Sequence, residues 1–534
     1  MDNQKMKSFK FNTSELIFAS LIWMFAATAV IINTLSLPGY DAYYNVQISE
    51  IMYQGKWVIQ DFPWTTCSIW ANSYFDKEWL FHVYLIPFIV FFGKIQGAKI
   101  ATLAAVFFIA LAWGLLLKCL GMKKYIFNAL LFMLFGTGYL FLGRIVLCRS
   151  ILFSLIFLPL AITAAISHKR LLLVLIVYLY TLAYVGAWQV LPIVIIFDAF
   201  AIKQKPQWTK DLRKMMFPWV IVGFVAGIII NPYFPVNIKG IFVQTILVLK
   251  AKWFGVGDGQ IMQAAELAPI GFNRILWHLP IFIIFAFTTQ SMWKNRSFTE
   301  LRKPSGVFFI LSCLYLMLTV FSQRFIEYSA PFLTVFVFLY WYEFPLKNIV
   351  CNGKKDPSAK IHISLRKFNI ILIAFLLTLG TISTYMLHKN FYRDHLFYED
   401  SAAWIKKNVK EDSIIFTGDW DMGAVLFCNA PDYRYLVMLE PYFMYAYSPE
   451  KYFLWNKICN GKITQPSVTI VNEFGSNIVF VPHDRQALFR KLQLDRYSEL
   501  TFEGKTGESI FRLNVPKREI EKAKKIKDWI KKKK

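Results

Sequence analysis

Apolar positions fall in blocks over the first three quarters of the chain. Eleven blocks, at 15–37, 100–117, 125–142, 150–167, 171–187, 189–202, 215–231, 275–290, 306–321, 326–343 and 369–388, come near the length of helix that crosses a hydrocarbon core of roughly 30 Å. The blocks at 171–187 and 189–202 are joined only by "YVGAWQVLP", which also fits one broken helix. A further apolar stretch, "EWLFHVYLIPFIVFFG" (78–93), is shorter and contains His82 and Pro87. From about 390 to 515 the pattern changes to short β-type runs, at 413–418, 433–439, 477–482, 498–504 and 509–514. Helical stretches separate these runs, which is the signature of an α/β domain. The tail 516–534 holds ten Lys/Arg against three acids. It reads as a solvated helix or a disordered tail, with docking on anionic headgroups as the alternative.

Charge decides how these blocks are threaded. With eleven spans, one set of connecting segments (1–14, 118–124, 168–170, 203–214, 291–304 and 344–367) carries 23 Lys/Arg in 74 residues. The opposite set (38–99, 143–149, 188, 232–274 and 322–325) carries 11 in 117 residues. The denser set belongs on the cytoplasmic side. The N-terminus is therefore expected inside, and the α/β domain outside. This arithmetic makes 78–93 an interfacial or re-entrant helix within a first outer loop, 38–99, and not a twelfth span. The expected organisation is a membrane domain at 1–390, an extracytoplasmic α/β domain at 391–515 and a basic tail at 516–534.

Composition agrees. Of 534 residues, 56% are hydrophobic and only 17% charged, too little charge for a soluble protein of this length. A net charge of +25 in a soluble chain would suggest nucleic acid. Here the basic residues lie between apolar blocks, so membrane threading accounts for them, and no nucleic-acid partner is expected. Seven cysteines are scattered without a CxxC, so neither a disulfide framework nor zinc is expected. The apolar run after the basic N-terminus is too long for a signal-peptide core, which predicts an uncleaved first span.

Chemistry concentrates at the outer ends of the predicted spans. The first outer loop opens with "GYDAYYN" and holds Asp41, Glu50, Asp61, Asp76, Lys77 and Glu78. Its aromatic residues, Tyr44 among them, fit an interfacial belt. Asp41, just past a span, can accept a proton from a nucleophile or ligate a divalent metal. Arg144, Arg149 and Arg324 fall at outer span ends, against the orientation rule. Guanidinium forks there match the oxygens of a lipid phosphate. Glu266, in "MQAAELAPIG", is a candidate second acid. His82 reads as a packing residue and "GVGDG" (255–259) as a flexible turn. Asp419 and Asp421 in "GDWDMG" read as a turn. The α/β domain shows no convergent acid–base set and is expected to shape acceptor access.

These features together resemble the GT-C glycosyltransferases, a superfamily that includes protein O-mannosyltransferases, oligosaccharyltransferase catalytic subunits and aminoarabinose transferases. The resemblance rests on "DAYYN" after the first span and on the juxtamembrane segment "FDKEWLFHVYLIPFIVFFG". It extends to "GRIVLCRSILFS" (143–154), "IIINPYFPVN" (228–237), "FSQRFIEYSAPF" (321–332) and "APDYRYLVMLEPYFMYAYSPEKY", so it runs along nearly the whole chain. The sequence departs from the family in two places. Ala42 follows Asp41 where the mannosyltransferases carry an Asp-Glu pair, and no clear DxD stands in the second outer loop.

The resemblance implies a polytopic α-helical protein with a GT-C-like membrane domain and an extracytoplasmic C-terminal domain. It implies transfer of a sugar from a polyprenyl-phosphate donor to a lipid, glycan or protein acceptor at the outer membrane face. Asp41 matches the family's catalytic acid, with Mg or Mn as a possible metal beside it. Lys77, Tyr44, Arg144, Arg149, Arg324 and Glu266 are the candidate substrate contacts. Two other readings stay open: a transporter or flippase of lipid-linked saccharide, and a non-catalytic scaffold of the same fold.

Overall fold

The computed structural model describes residues 13–204, 214–255, 261–262, 264–271, 279–294, 304–344, 365–393 and 398–533. Most of the basic segments 1–14, 203–214, 291–304 and 344–367, and the "GVGDG" turn beyond Gly255, lie outside the described residues.

Every apolar block has a helical counterpart, including Thr13–Ile31, Lys94–Cys119, Ile151–Ile166, Pro304–Phe321, Ile326–Glu343 and Leu365–Arg393. Among the described residues, five helical segments are long and apolar enough to cross a membrane, or six if one bent pair is a single span. The protein is thus a polytopic α-helical membrane protein. Its helices leave large apolar side chains such as Phe25, Leu171 and Ile229 uncovered, as lipid-facing surfaces require. The block at 125–142 is not one straight helix. Ile126–Phe135 and Tyr139–Ile145 meet at a 91° bend. Gly138, at φ 61°, supplies the backbone conformation that a side chain would disfavour. Trp79–Phe92 has 14 residues, a length of about 21 Å that is too short to cross the core unaided.

The chain divides into two compact units. The first comprises Met1–Asn33, Thr102–Gly227 and Ala264–Asn390; the second comprises Thr34–Ala101, Ile228–Gln263 and Phe391–Lys534. The loop expected at 38–99 and the segment after the middle helix are therefore grouped with the C-terminal α/β region. Both units draw on segments from before residue 390, so they cut across the linear division.

In the first unit, the helices Arg170–Ala183 and Phe217–Ile229 approach closely through Gly223 and Gly227. A Cβ on Gly223 would lie 2.6 Å from the Val174 carbonyl oxygen, and one on Gly227 would lie 2.5 Å from Thr181 Cβ. Small residues four apart permit this, the usual way helices pack in lipid.

The second unit carries a five-stranded sheet: β1 (Ile414–Thr417), β2 (Arg434–Tyr435), β3 (Ile478–Val481), β4 (Ser498–Glu503) and β5 (Ser509–Leu513). The strand order is β2-β1-β3-β5-β4. β1 is parallel to β2 and β3, while β5 is antiparallel to β3 and β4. All five predicted strands exist, but the run at 433–439 contracts to two residues. Its outer edge is taken by the first loop. Tyr435 N–H donates to the Trp64 carbonyl at 2.8 Å, and Thr66 and Cys67 N–H donate to the Tyr435 and Leu436 carbonyls at 2.9 and 2.8 Å. The loop thus caps an edge that would otherwise expose unpaired backbone. The basic tail forms a helix, Lys517–Lys533.

Candidate functional site

Three arginines predicted at span ends converge in the first unit. Arg144 stands on Tyr139–Ile145, the short helix beyond the bend, and Arg149 in the turn before Ile151–Ile166. Arg324 lies in the 3₁₀ turn Gln323–Phe325 after Pro304–Phe321. All three point at Glu266 in the turn Ala265–Leu267. Arg144 Nη1 and Arg149 Nη1 each lie 2.7 Å from Glu266 Oε2, and Arg324 Nη1 lies 3.3 Å from Oε1.

Backbone contacts hold this turn in place. Gln323 N–H donates to the Ala268 carbonyl at 3.0 Å, Ile270 N–H to the Val320 carbonyl at 3.4 Å, and Ser322 Oγ to the Glu266 carbonyl at 3.3 Å. Burial alone would push the Glu266 carboxyl up. Arg149, Arg144 and Arg324 outweigh it and hold the group well below the usual carboxylate range.

The sequence reading missed one member of this cluster. Glu327, fully buried in the first turn of Ile326–Glu343, accepts from Arg144 Nε. Arg144 is thus held between two carboxylates on different elements. Its Nη2, and Glu327 Oε2, are buried with no hydrogen-bond partner among the described residues. An acid in the first turn of a largely apolar helix was the available signal, since such a group requires a partner. Below this layer lies a buried hydroxyl network. Ser154 Oγ contacts Tyr180 Oη and lies 2.7 Å from Tyr328 Oη, and Tyr315 Oη donates to Gln189 Oε1 at 3.1 Å.

Asp41, Lys77 and Tyr44 belong to the second unit. Asp41 is the first residue of the helix Asp41–Tyr53 and is half-buried. A carboxylate in that turn complements the positive end of the helix dipole. The preceding membrane helix ends at Ile31, so Asp41 stands farther from it than the apolar block ending at residue 37 predicted. Lys77 Nζ lies 3.7 Å from Glu78 Oε1 and 3.9 Å from Glu440 Oε1.

The expectation that Tyr44 contacts substrate does not fit its surroundings. Tyr44 is 1% exposed. It stacks on Trp70 at 5.4 Å, and its hydroxyl meets Tyr74 Oη at 2.8 Å. Burial, with Asp76 nearby, pushes its phenol well above the ordinary range. It is a packing residue of an aromatic core that also includes Phe62 and Phe427.

His82 likewise has more than a packing role. It lies between Asp76 Oδ2 and Asn45 Oδ1, at 2.6 and 3.0 Å. Asp419 and Asp421 do lie in a bend, where Asp419 also pairs with Arg485.

Asp41 is a candidate ligand for a possible divalent metal. Among the described residues, no group of three or more His, Cys, Asp or Glu side chains is placed to hold one. Among those residues, Asp41 therefore stands in no such group.

No protein-family model and no curated protein matches the sequence. Solved structures do match in fold. The oligosaccharyltransferase of Archaeoglobus fulgidus is 13% identical with a TM-score of 0.59, over 96% of this chain and 75% of that one. ArnT of Cupriavidus metallidurans is 10% identical with a TM-score of 0.53, over 94% and 98%. A form of that protein bound to undecaprenyl phosphate matches at a TM-score of 0.50. The mycobacterial arabinofuranosyltransferase AftD is 10% identical with a TM-score of 0.52, over 94% of this chain and 42% of its own. At these identities the likeness is one of fold, and the fold is that of the GT-C proteins, as the motifs implied.

Proposed function

We propose that this chain, with its GT-C fold, is a glycosyltransferase that takes a sugar from a polyprenyl-phosphate donor and passes it to an acceptor at the extracytoplasmic membrane face. The observation that carries the reading is the convergence of Arg144, Arg149 and Arg324 on one anionic position, in a fold shared with an ArnT bound to undecaprenyl phosphate. Three guanidiniums in a largely buried setting form a phosphate site. They offset the charge that grows on the leaving phosphate as the sugar departs.

Asp41 serves as general base. The acceptor hydroxyl or amine attacks the anomeric carbon, and its proton passes to the Asp41 carboxylate. The bond from that carbon to the phosphate oxygen breaks, and the electron pair leaves with the polyprenyl phosphate. A single displacement inverts the anomeric centre. Lys77 is a further proposed donor contact.

The test uses purified protein in lipid nanodiscs, isotope-labelled polyprenyl-phosphate sugars and a membrane extract as acceptor source. Label should move from the donor, and Asp41→Asn should slow the transfer by about 10²–10⁴, the usual cost of losing a general base. Wild-type protein that moves no label, or translocates intact donor across a bilayer, would favour the scaffold or flippase reading.

A further inference from the structure

Glu266 is an anion already seated in the arginine cluster. One of its oxygens accepts from both Arg144 and Arg149 at 2.7 Å, while the other faces Arg324 at 3.3 Å. A carboxylate has only these two oxygens, and here both are committed. The site is therefore occupied, before any ligand arrives, by the best partner a protein side chain can offer it. The backbone of the turn is held independently through Ser322, Gln323 and Ile270. The side chain can rotate away about its own torsions while the turn stays in place. Arg144 has a second anchor in Glu327, so one wall of the cluster persists when Glu266 leaves.

We propose that Glu266 is a specificity-determining residue of this site: an internal competitor that a lipid phosphate monoester displaces and a lipid carboxylate does not. This rests on the reading of the cluster as the lipid-phosphate site, and it concerns the polyprenyl phosphate in the monoester form it takes as the sugar departs. The donor itself, a diester with two free oxygens and one charge, displaces Glu266 no better than a carboxylate does. Exchanging Glu266 for another carboxylate gains nothing, because the incoming group has the same two oxygens and the same single charge. A phosphate monoester brings three terminal oxygens and a charge of about −1.5 to −2 near neutral pH. It can give each of the three arginines its own oxygen, and charge-assisted bonds of that kind are roughly twice as strong as neutral ones. Glu266 thereby sets a threshold that carboxylate lipids fall below.

The test measures binding of undecaprenyl phosphate and of oleate to the full-length protein, as wild type, Glu266→Gln and Glu266→Asp. Glu266→Gln removes the competing charge and keeps the shape. It should bind undecaprenyl phosphate about tenfold more tightly, the scale of one charge-assisted hydrogen bond, and should bind oleate measurably where the wild type does not. Glu266→Asp keeps the charge but shortens its reach, so it should shift in the same direction by less. It also keeps the proposal falsifiable if the glutamine variant fails to fold. Weaker phosphate binding in either variant, with the wild type binding normally, overturns the proposal and leaves the phosphate-site reading standing. Tighter phosphate binding with unchanged rejection of oleate overturns the selectivity role. A wild type and variants that all fail to bind undecaprenyl phosphate overturn both readings together.

Discussion

His82 and Asp76 form a pair closed to solvent, with Nδ1 2.6 Å from Oδ2 and side chains 0% and 1% exposed. The other imidazole nitrogen lies 3.0 Å from Asn45 Oδ1, and Asp76 Oδ1 accepts from the Glu78 N–H at 2.8 Å. Asn45 lies one turn beyond Asp41 on the same helix face, and Asp76 immediately precedes Lys77. The imidazole therefore ties the helix that starts at Asp41 to the turn that bears Lys77. Replacing His82 with Ala leaves the Asp76 carboxylate buried without its main partner. The loss should approach the roughly 3–5 kcal/mol typical of breaking a buried pair. Denaturation of the purified protein should show it, and an unchanged unfolding midpoint would remove the brace from the account.

The arginine cluster separates charge from geometry. Arg149→Lys keeps the positive charge but loses the planar fork. Arg149→Ala loses both. Affinity for undecaprenyl phosphate should fall about tenfold in the first and nearer a hundredfold in the second, following the strength of hydrogen bonds to charged groups. Binding to the two variants, measured side by side, decides it. Equal losses would mean that the fork contributes nothing beyond its charge.

Much of this arrangement could be read from order along the chain. The spans were legible because a helix in lipid must be apolar over its length. The arginines stood out because cations at span ends expected to lie outside run against the orientation rule. Glu327 was missed because a single acid at the start of an apolar helix names no partner until Arg144 is brought to it. His82 reads as packing for the same reason: Asp76 is six residues away, but Asn45 lies 37 residues away on another helix. Tyr44 erred in the other direction. A tyrosine beside Asp41 looks exposed until Trp70 and Tyr74 close over it. The grouping of 34–101 with the C-terminal region depends on backbone pairing between Trp64–Cys67 and Tyr435–Leu436, a separation of some 370 residues that no local pattern reveals.

The orientation inferred from the basic residues is open to direct measurement. In a variant lacking the native cysteines, single cysteines at Asn72 and Glu503 should react with a membrane-impermeant maleimide added to intact cells. One at Lys124 should react only after the membrane is opened. All three positions are exposed on the protein, so lack of reaction reports sidedness and not burial. Labelling at position 124 in intact cells would reverse the orientation, and with it the face assigned to the transfer reaction.

Asp421 gives the C-terminal region a pH dependence of unusual sign. It follows β1 and opens the helix Met422–Asn429. Its Oδ1 is buried with no hydrogen-bond partner among the described residues. Burial first, and then the neighbouring Asp419, push its carboxyl well above the ordinary range, while Asp419 itself takes up Arg485. A carboxyl raised in the folded state binds its proton more tightly there than in the unfolded chain. Folding is then favoured while the proton is on, and stability falls as pH rises from the ordinary aspartate range through the folded value. This is opposite to the usual behaviour of a salt-bridged acid. Asp421→Asn keeps the neutral shape at every pH. It should stabilise the region near neutral pH by about 1–3 kcal/mol, the cost of one unsatisfied buried polar group, and flatten the decline. Hydrogen exchange of the β1 and β3 amides in the full-length protein, measured at several pH values, reads this locally. Protection that rises with pH in the wild type, or an asparagine variant that exchanges faster than wild type at neutral pH, would show that Asp421 carries a stabilising charge.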